Sequence, residues 1–380
     1  MLLDSRPTDS SRRSFFKRVY LLSLIITVVI LISYVLYLDP RPRFSGILEL
    51  STPWKSKSKS KFFGVIDKIY VISLPTRQDR RTEMEKLRKG LGVEWAYIDA
   101  FPATEPMVNS IKGKVVSTRA SASQTHSQFK WPEISEELVH SKENIELWQD
   151  DSWYPSPDPP PTSLPLVQCT QKDYDMISDP RTLPEHLILT PGRVACWRSH
   201  IEVIHQIAND DAEATLIMED DVDVERDLEG HLKRIWPSLP KDWDSVYLGH
   251  CWSNETFWPA LPAVSTDPSV SFKPSILNSS LPTLHPSQGP KCNHGYVLSR
   301  TGARRILLHL RYPLFAYSRA VDQALAWMIE SRRTKSFSVF PNIIAQRKVS
   351  KSDIMVLDGV ENAGWKDFLV DGFFGDNKRP

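Results

Sequence analysis

Short runs of β-branched and aromatic residues alternate with segments of helical periodicity from residue 64 onwards. The run GVIDKIYVISL at 64–74 predicts a strand, because Val, Ile and Tyr are enriched in strands. The next segment places Met84, Leu87 and Leu91 at helical spacing, and VEWAYIDAF predicts a second strand that ends at Asp99. A strand, a helix and a strand in this order form a βαβ unit, which opens a parallel sheet.

The same alternation returns after residue 188. In LTPGRVACWRSHIEVIHQIA, Thr190 is a suitable helix cap and Pro191 suits the first helical position. Alternating strands and helices predict an α/β fold with an open, mostly parallel sheet. The further strands are predicted at 214–218, 244–251, 295–299 and 336–346, and the further helices at 226–236, 301–310 and 320–330.

Two segments interrupt this pattern. Residues 103–189 contain SPDPPPTSLP and few clean periodicities, although EISEELVHSKENIELW at 133–148 can form a helix. Residues 253–290 are rich in Pro and Ser and read as a loop. Because long connections inside a compact domain are usually functional or disordered, we treat 103–189 as an insertion of unknown role.

The segment VYLLSLIITVVILISYVLYL at 19–38 contains no charged residue and is long enough to cross a bilayer as a helix of about 30 Å. A cleaved signal peptide is expected to have a shorter apolar stretch of about 7–15 residues. We therefore expect an uncleaved membrane anchor. The predicted organisation is a cytoplasmic tail at 1–18, the anchor at 19–38, a stem at 39–61, a catalytic domain at 62–350 and a C-terminal extension at 351–380.

Several features predict a lumenal domain after this anchor. Basic residues flank the anchor on both sides, so the positive-inside rule favours a cytoplasmic N-terminus by a small margin. Asn254 and Asn278 begin glycosylation sequons, which are expected on exposed loops of a lumenal domain. Four cysteines follow the anchor and allow three pairings. A Cys251–Cys292 disulfide is one alternative, and buried free thiols are the other.

Composition changes this picture little. Of 380 residues, 41% are hydrophobic and 24% are charged, which is typical of a globular protein. The net charge of +1 gives no indication of a nucleic-acid partner. The 12 Trp and 29 Pro residues favour aromatic-lined surfaces and long irregular connections.

The most informative chemistry follows the strand at 214–218. Glu219, Asp220 and Asp221 come directly after it, and Asp223 and Glu225 lie close behind. Ligands of open parallel sheets bind at the carboxyl ends of strands, and clustered carboxylates suit hard cations such as Mg²⁺ or Mn²⁺. The alternative is a solvated turn whose acids lie at a helix N-terminus.

Other candidate residues have an ordinary structural interpretation as well. Arg77, Arg80 and Arg81 follow the first strand, where guanidinium groups bind phosphate, or they form an exposed helix face. Ser199 and His200 lie on a helix with core-facing residues, where a histidine is often structural. Asp322 begins a helix, either as a cap or as a general base. Those six residues are candidates for donor binding and catalysis.

The order of the motifs carries a resemblance to a known family. The segments KIYVISLPTRQDRR, GRVACWRSH, ATLIMEDDVD, VYLGHC, CNHGYVLSRTGARRIL and VDQALAWM together resemble glycosyltransferase family 25. That family includes bacterial lipooligosaccharide galactosyltransferases and collagen hydroxylysine galactosyltransferases. The resemblance covers about residues 65–101 and 188–350 and leaves out the anchor, the stem, the insertion and the loop at 253–290.

The resemblance implies a GT-A-like nucleotide-sugar-binding fold, a UDP-sugar donor and a divalent metal, usually Mn²⁺. It assigns Glu219, Asp220 and Asp221 to the metal and the diphosphate, and the segment from Ser73 to Arg81 to the nucleotide. Cys196, Ser199 and His200 match the family motif before the acidic strand. Asp322 matches an acidic position on the acceptor side, where it is the expected base of an inverting transfer.

Two positions depart from the family pattern. The first strand ends in Ser73-Leu74, where the family often has Asn-Leu, and Arg193 stands where an acidic residue is common. We expect a type II membrane enzyme of the Golgi or endoplasmic reticulum that transfers a hexose, galactose first, from UDP to a glycan or glycoprotein hydroxyl. The alternatives are a catalytically silent lumenal binding or scaffold protein on the same fold and a metal-dependent phosphohydrolase.

Overall fold

The computed structural model describes residues 62–125, 135–140, 166–176, 183–264, 281–347, 352–354 and 368–375. The predicted tail, anchor and stem lie outside these residues, as does the sequon at Asn278. Among the described residues, no helix has both the length and the hydropathy that a membrane span requires.

The described residues form the predicted strands and helices in the predicted order, and they add strands at 222–224 and 283–286 and a helix at 106–125 that the sequence did not predict. The strands are β1 (Lys68–Ser73), β2 (Ala96–Asp99), β3 (Thr215–Glu219), β4 (Val222–Val224), β5 (Ser245–Cys251), β6 (Thr283–Pro286), β7 (Lys291–Leu298), β8 (Ser336–Phe340) and β9 (Ile344–Gln346). The helices are α1 (Gln78–Leu91), α2 (Pro106–Thr125), α3 (Ser135–His140), α4 (Pro191–Ala208), α5 (Leu228–Ile235), α6 (Arg300–Leu310) and α7 (Val321–Glu330).

The βαβ unit at the start of the domain is confirmed. β1 pairs in parallel with β2 and with β3, and the last pair of the β1–β3 register joins Ile72 to Glu219. α1 ends at Gly92, which adopts the left-handed conformation that glycine tolerates best. The carboxyl ends of β1 and β3 therefore meet at one edge of the sheet.

The prediction of a mostly parallel sheet is wrong. Among the described residues, seven strands form one sheet in the order β2-β1-β3-β7-β5-β8-β6, and β4 pairs with β9 in a second sheet. β7 lies antiparallel to both β3 and β5, and β6 lies antiparallel to β8. The chain passes from β5 to β7 without a described crossover helix, and parallel neighbours normally need such a crossover. The sheet is therefore mixed, within an α/β fold.

Helices cover both faces of the large sheet. Successive strand residues point to opposite faces, so Ile217 packs in one core with α2, α4, α6 and α7, while Met218 packs in the other with α1 and α5. α4 begins as predicted, because the Thr190 side chain accepts from the Arg193 amide and Pro191 occupies the first turn. This three-layer arrangement fixes the end of β3 between α1 on one side and α4 on the other.

Parts of the predicted insertion belong to the packed domain. α2 contributes Ile111 and Val115 to the core shared with α4. In the segment 166–176, the Cys169 amide donates to the Leu187 carbonyl at 2.7 Å, and Thr170 accepts a hydrogen bond from Arg319. The predicted last strand also differs, since it divides into β8 and β9, which lie in different sheets.

Candidate active site

Ser73 and Asp220 meet where β1 and β3 end. The Ser73 hydroxyl donates to the Asp220 carboxylate at 2.7 Å. Arg81, from the first turns of α1, donates to the Ser73 hydroxyl at 3.1 Å and to the Ser73 carbonyl at 3.0 Å. It also pairs with Asp99 at the end of β2. Neighbouring strand ends and the following helix thus fix the position of Asp220.

Arg80 joins the two aspartates of the acidic cluster. One guanidinium nitrogen, Nη1, lies 2.9 Å from an Asp220 oxygen and 3.1 Å from an Asp221 oxygen. Gln346 lies 3.5 Å from the Asp221 carboxylate, and the Arg347 amide donates to the Asp221 carbonyl at 2.6 Å. Two carboxylates that converge on one nitrogen atom can also share one cation. Hard oxygen ligands of this kind suit Mn²⁺ or Mg²⁺.

Burial destabilises the charged forms of these carboxylates. It raises the pKa of Asp221 to about 7, against the opposing effect of Arg80, and the charges of Glu219 and Asp220 add to the increase. Burial likewise raises the pKa of Asp220, and Arg80 and Ser73 oppose it. An additional positive charge, such as that of a divalent cation, would therefore stabilise the charged form of the cluster.

A cavity of about 530 Å³ opens beside these carboxylates. α1 forms one wall and the residue after β9, Arg347, forms another. The Arg347 guanidinium also lies 3.5 Å from Glu83. The lining residues are Gln78, Asp79, Arg80, Thr82, Glu83, Asp220, Asp221 and Arg347.

Glu219 points to the other face of β3. Its carboxylate lies 3.6 Å from the His200 Nε2 atom, and the His200 Nδ1 atom lies 2.9 Å from the Tyr296 hydroxyl. Burial opposes the charged form of Glu219, but His200, His294 and Arg80 outweigh it and lower the pKa of Glu219. The three acids that are consecutive in sequence are thus divided between two faces.

The remaining predicted donor residues have other contacts. Ser199 donates to the Ala195 carbonyl at 2.8 Å and accepts from the Phe101 amide at 2.9 Å, which ties α4 to the end of β2. Arg77 pairs with Asp79 at 3.0 Å and also with Asp353.

Asp322 lies in the first turn of α7, close to a disulfide. It accepts from the Cys292 amide at 3.3 Å and from the Gln323 amide at 2.8 Å. Burial raises the pKa of Asp322, Glu219 adds to the increase, and Lys291 opposes it. Cys292 is bonded to Cys251, with 5.6 Å between the Cα atoms, so the disulfide alternative is confirmed for this pair. Cys169 and Cys196 are free.

The sequence profile of Glycosyltransferase family 25 (LPS biosynthesis protein) matches residues 66–324. The chain belongs to glycosyltransferase family 25. The matched region contains every candidate site residue predicted from the sequence, from Ser73 to Asp322. Among curated proteins, none matches the chain.

Family 25 membership makes the chain a glycosyltransferase, which binds a sugar donor and an acceptor. It decides against the scaffold and phosphohydrolase alternatives. Sequence reasoning missed Gln346 and Arg347, which lie beyond the matched region and contact Asp221 from the end of β9. No local signal identifies these two residues, because their place beside Asp221 depends on the pairing of β9 with β4.

Sequence reasoning also grouped Asp223 and Glu225 with the acidic cluster. Both instead accept hydrogen bonds from backbone amides of residues 370–374. Glu225 accepts from the Val370 amide and, at 2.9 Å, from the Asp371 amide. Asp223 accepts from the Phe374 amide at 3.1 Å. We call residues 368–375 the C-terminal segment. These two acids are therefore structural.

Proposed function

We propose that this glycosyltransferase transfers a hexose, galactose first among the candidates, from a UDP-sugar to a hydroxyl of a glycan or glycoprotein. The convergence of Asp220 and Asp221 on Arg80, beside a cavity of about 530 Å³, is the observation that carries the proposal. The resemblance to galactosyltransferases supports the choice of donor.

Asp220 and Asp221 are the residues that would hold Mn²⁺ or Mg²⁺. Such an ion would neutralise charge on the departing diphosphate. Ser73 fixes the Asp220 carboxylate, and Arg80 and Arg81 place guanidinium groups at the same edge, where they suit phosphate oxygens. A third metal contact from Glu219, and donor contacts from Arg77, Ser199 and His200, stay predictions.

Asp322 is the proposed base for the acceptor. Because burial raises its pKa, its carboxylate binds a proton more readily than an exposed aspartate does. In an inverting transfer, the acceptor oxygen forms a bond to the anomeric carbon and its proton passes to Asp322. The bond between that carbon and the UDP oxygen breaks in the same step, and UDP leaves.

We also propose a type II membrane protein whose catalytic domain faces the lumen of the Golgi or endoplasmic reticulum. The Cys251–Cys292 disulfide supports an oxidising compartment. Asn254 of the first sequon is exposed, as an acceptor for glycosylation must be. The uncharged segment at 19–38 is the proposed anchor.

The donor assignment is tested by incubating detergent-solubilised full-length protein with Mn²⁺, a mixture of glycopeptide acceptors and single nucleotide sugars. We expect UDP release from UDP-galactose to exceed that from UDP-glucose, and no turnover of GDP-mannose. Turnover of GDP-mannose in preference to UDP-sugars would refute the UDP-sugar assignment. A preference for UDP-glucose would refute galactose alone.

A further inference from the structure

A cysteine, a histidine and a glutamate meet on the face of β3 that lies away from Asp220. Cys196 Sγ, a ring nitrogen of His200 and a carboxylate oxygen of Glu219 all lie within 4.8 Å of one another. Cys196 and His200 are four residues apart on α4, so their side chains share one face of that helix. Glu219 is the last residue of β3. Two packed elements thus bring three metal-ligating groups together.

The spacing of these atoms suits an ion between them. The distance of 3.6 Å from His200 Nε2 to the Glu219 carboxylate exceeds that of a usual N–H···O hydrogen bond, about 2.7–3.2 Å. Nitrogen and oxygen ligands about 2.0–2.2 Å from a tetrahedral Zn²⁺ ion are about 3.3–3.6 Å apart. One ion can therefore contact both His200 and Glu219 without moving α4 away from β3.

The surroundings of His200 orient it for this role. A ligating imidazole needs its lone pair on the metal-facing nitrogen and its proton on the other. The Tyr296 hydroxyl lies 2.9 Å from His200 Nδ1, where it can accept a hydrogen bond from a proton on that nitrogen. His200 is 1% exposed and its ring stacks on that of Tyr296, so the ring is held in this orientation. Such a second contact is the usual companion of a histidine ligand.

The three ligand residues differ in their exposure to solvent. Cys196 and Glu219 are partly exposed, whereas His200 is buried, so an ion can enter from the side of the first two. The Asp322 carboxylate interacts electrostatically with both Glu219 and Cys196, which adds to the negative charge around the three ligand atoms.

We propose that Cys196, His200 and Glu219 bind a divalent transition metal ion that accepts thiolate, Zn²⁺ first, in place of the Mn²⁺ and donor contacts that the sequence predicts for Glu219 and His200. The thiolate separates this site chemically from the pair Asp220 and Asp221, because hard cations such as Mn²⁺ prefer oxygen ligands. The ion links α4 to the last residue of β3, directly before that pair. Its role is to position the acidic edge of the sheet, and it does not depend on which sugar is transferred.

The test uses full-length protein in detergent with the Cys251–Cys292 disulfide intact, dialysed against metal-free buffer and titrated with Co²⁺ in place of Zn²⁺. We expect about one Co²⁺ per chain with a near-ultraviolet thiolate-to-cobalt charge-transfer band, which excess Zn²⁺ removes. Cys196→Ala should abolish the band, and Cys169→Ala, which alters the other free cysteine, should retain it. Tyr296→Phe should weaken Zn²⁺ binding by about 10–100-fold.

Two outcomes would overturn the proposal. One is a wild-type protein without the charge-transfer band at saturating Co²⁺, and the other is a band that persists in Cys196→Ala. Because the first outcome is measured on the wild type, the proposal stays testable even if Cys196→Ala does not fold. Asp221→Asn separates the two sites, since it should keep the band while losing Mn²⁺-dependent UDP binding.

Discussion

At the scale of single residues, Arg80 sets the charge balance of the candidate site. Its Nη1 atom contacts both Asp220 and Asp221, and burial raises the pKa of both carboxyl groups. Bringing two partly desolvated carboxylates together is unfavourable unless positive charge compensates them. Arg80 supplies one positive charge, and since the pKa of both carboxyl groups is still raised, a further cation would stabilise their charged forms.

His309 is a buried titratable residue away from this site. Burial lowers the pKa of His309 to about 4, and Arg333 and Arg305 contribute to the decrease. Its Nδ1–H donates to the Arg305 carbonyl at 2.8 Å. In the unfolded chain a histidine has a pKa of about 6.5. Folding therefore favours the neutral form of His309.

We predict that His309 makes the protein sensitive to acid. Neutral His309 contributes to the free energy of unfolding, and this contribution is fully present above about pH 6.5. It is lost as the pH falls towards 4, and the loss reaches about 2 kcal/mol by pH 5. His309→Gln should flatten the decrease in the free energy of unfolding between about pH 6.5 and pH 4, measured by urea denaturation. The exposed His140 provides the control, His140→Gln, which should follow the wild type. Parallel curves for wild type and His309→Gln would contradict the prediction.

Sequence reasoning placed Arg80 and Arg81 after the first strand and Asp220 and Asp221 after another, and the family resemblance added Ser73. Carboxyl ends of neighbouring strands and the helix after the first strand must meet at one edge. The different orientation of Glu219 follows from strand alternation, which the sequence also contains. Contacts from Gln346 and Arg347 could not be predicted, because nothing local shows that β9 returns beside β4.

At the scale of elements, the C-terminal segment packs against α1 and Arg347, which line the cavity. Phe374 packs under the Arg347 guanidinium, with 3.8 Å from the Arg347 Cζ atom to the ring centroid. Phe373 packs against α1, where a Cβ atom on Gly90 would lie 2.0 Å from its ring. Asp223, 0% exposed, depends on amides of this segment for hydrogen bonds. The segment therefore supports both β4 and one wall of the cavity.

Deleting residues 368–380 should lower the free energy of unfolding by about 3 kcal/mol or more, because Asp223 and Glu225 lose amide donors. Urea denaturation measures the change, and UDP binding with Mn²⁺ should weaken as Arg347 loses Phe374. A matched deletion of 376–380 keeps these contacts and should resemble the wild type. Equal stability of the two deletions would show that the segment does not support the fold.

Elements with strong local patterns were predicted well, and those that depend on distant partners were not. α4 has its cap, its Pro at the first turn and an apolar face within one stretch of sequence. α2 has little amphipathic pattern, and its packing on α4 rests on scattered residues such as Ile111. The direction of β7 depends on the path of the preceding loop, which carries no periodicity.

At the scale of the whole molecule, the Cys251–Cys292 disulfide joins the ends of β5 and β7 across the Pro/Ser-rich loop. Its sequence separation of 41 residues corresponds to about 4 kcal/mol of stabilisation in the chain-entropy account. Cys292 is also the residue whose amide donates to Asp322. The disulfide therefore lies beside Asp322, the proposed base.

Denatured protein from a secretory host should show two free thiols before reduction and four after it. Dithiothreitol should lower the Tm of the wild type, and the double variant Cys251→Ser/Cys292→Ser should have a low Tm that dithiothreitol does not change. Four free thiols before reduction would contradict both the disulfide and the proposed lumenal location.

The most direct test of the account is Mn²⁺-dependent binding of UDP, measured by calorimetry on full-length protein in detergent. We predict that wild type binds UDP only with Mn²⁺ present, and that Asp221→Asn weakens this binding by about 100-fold. Asp211→Asn, which alters a fully exposed acid nearby in sequence, should bind as the wild type does. Unchanged binding in a folded Asp221→Asn variant would contradict the assignment of the acidic edge to the cation and diphosphate.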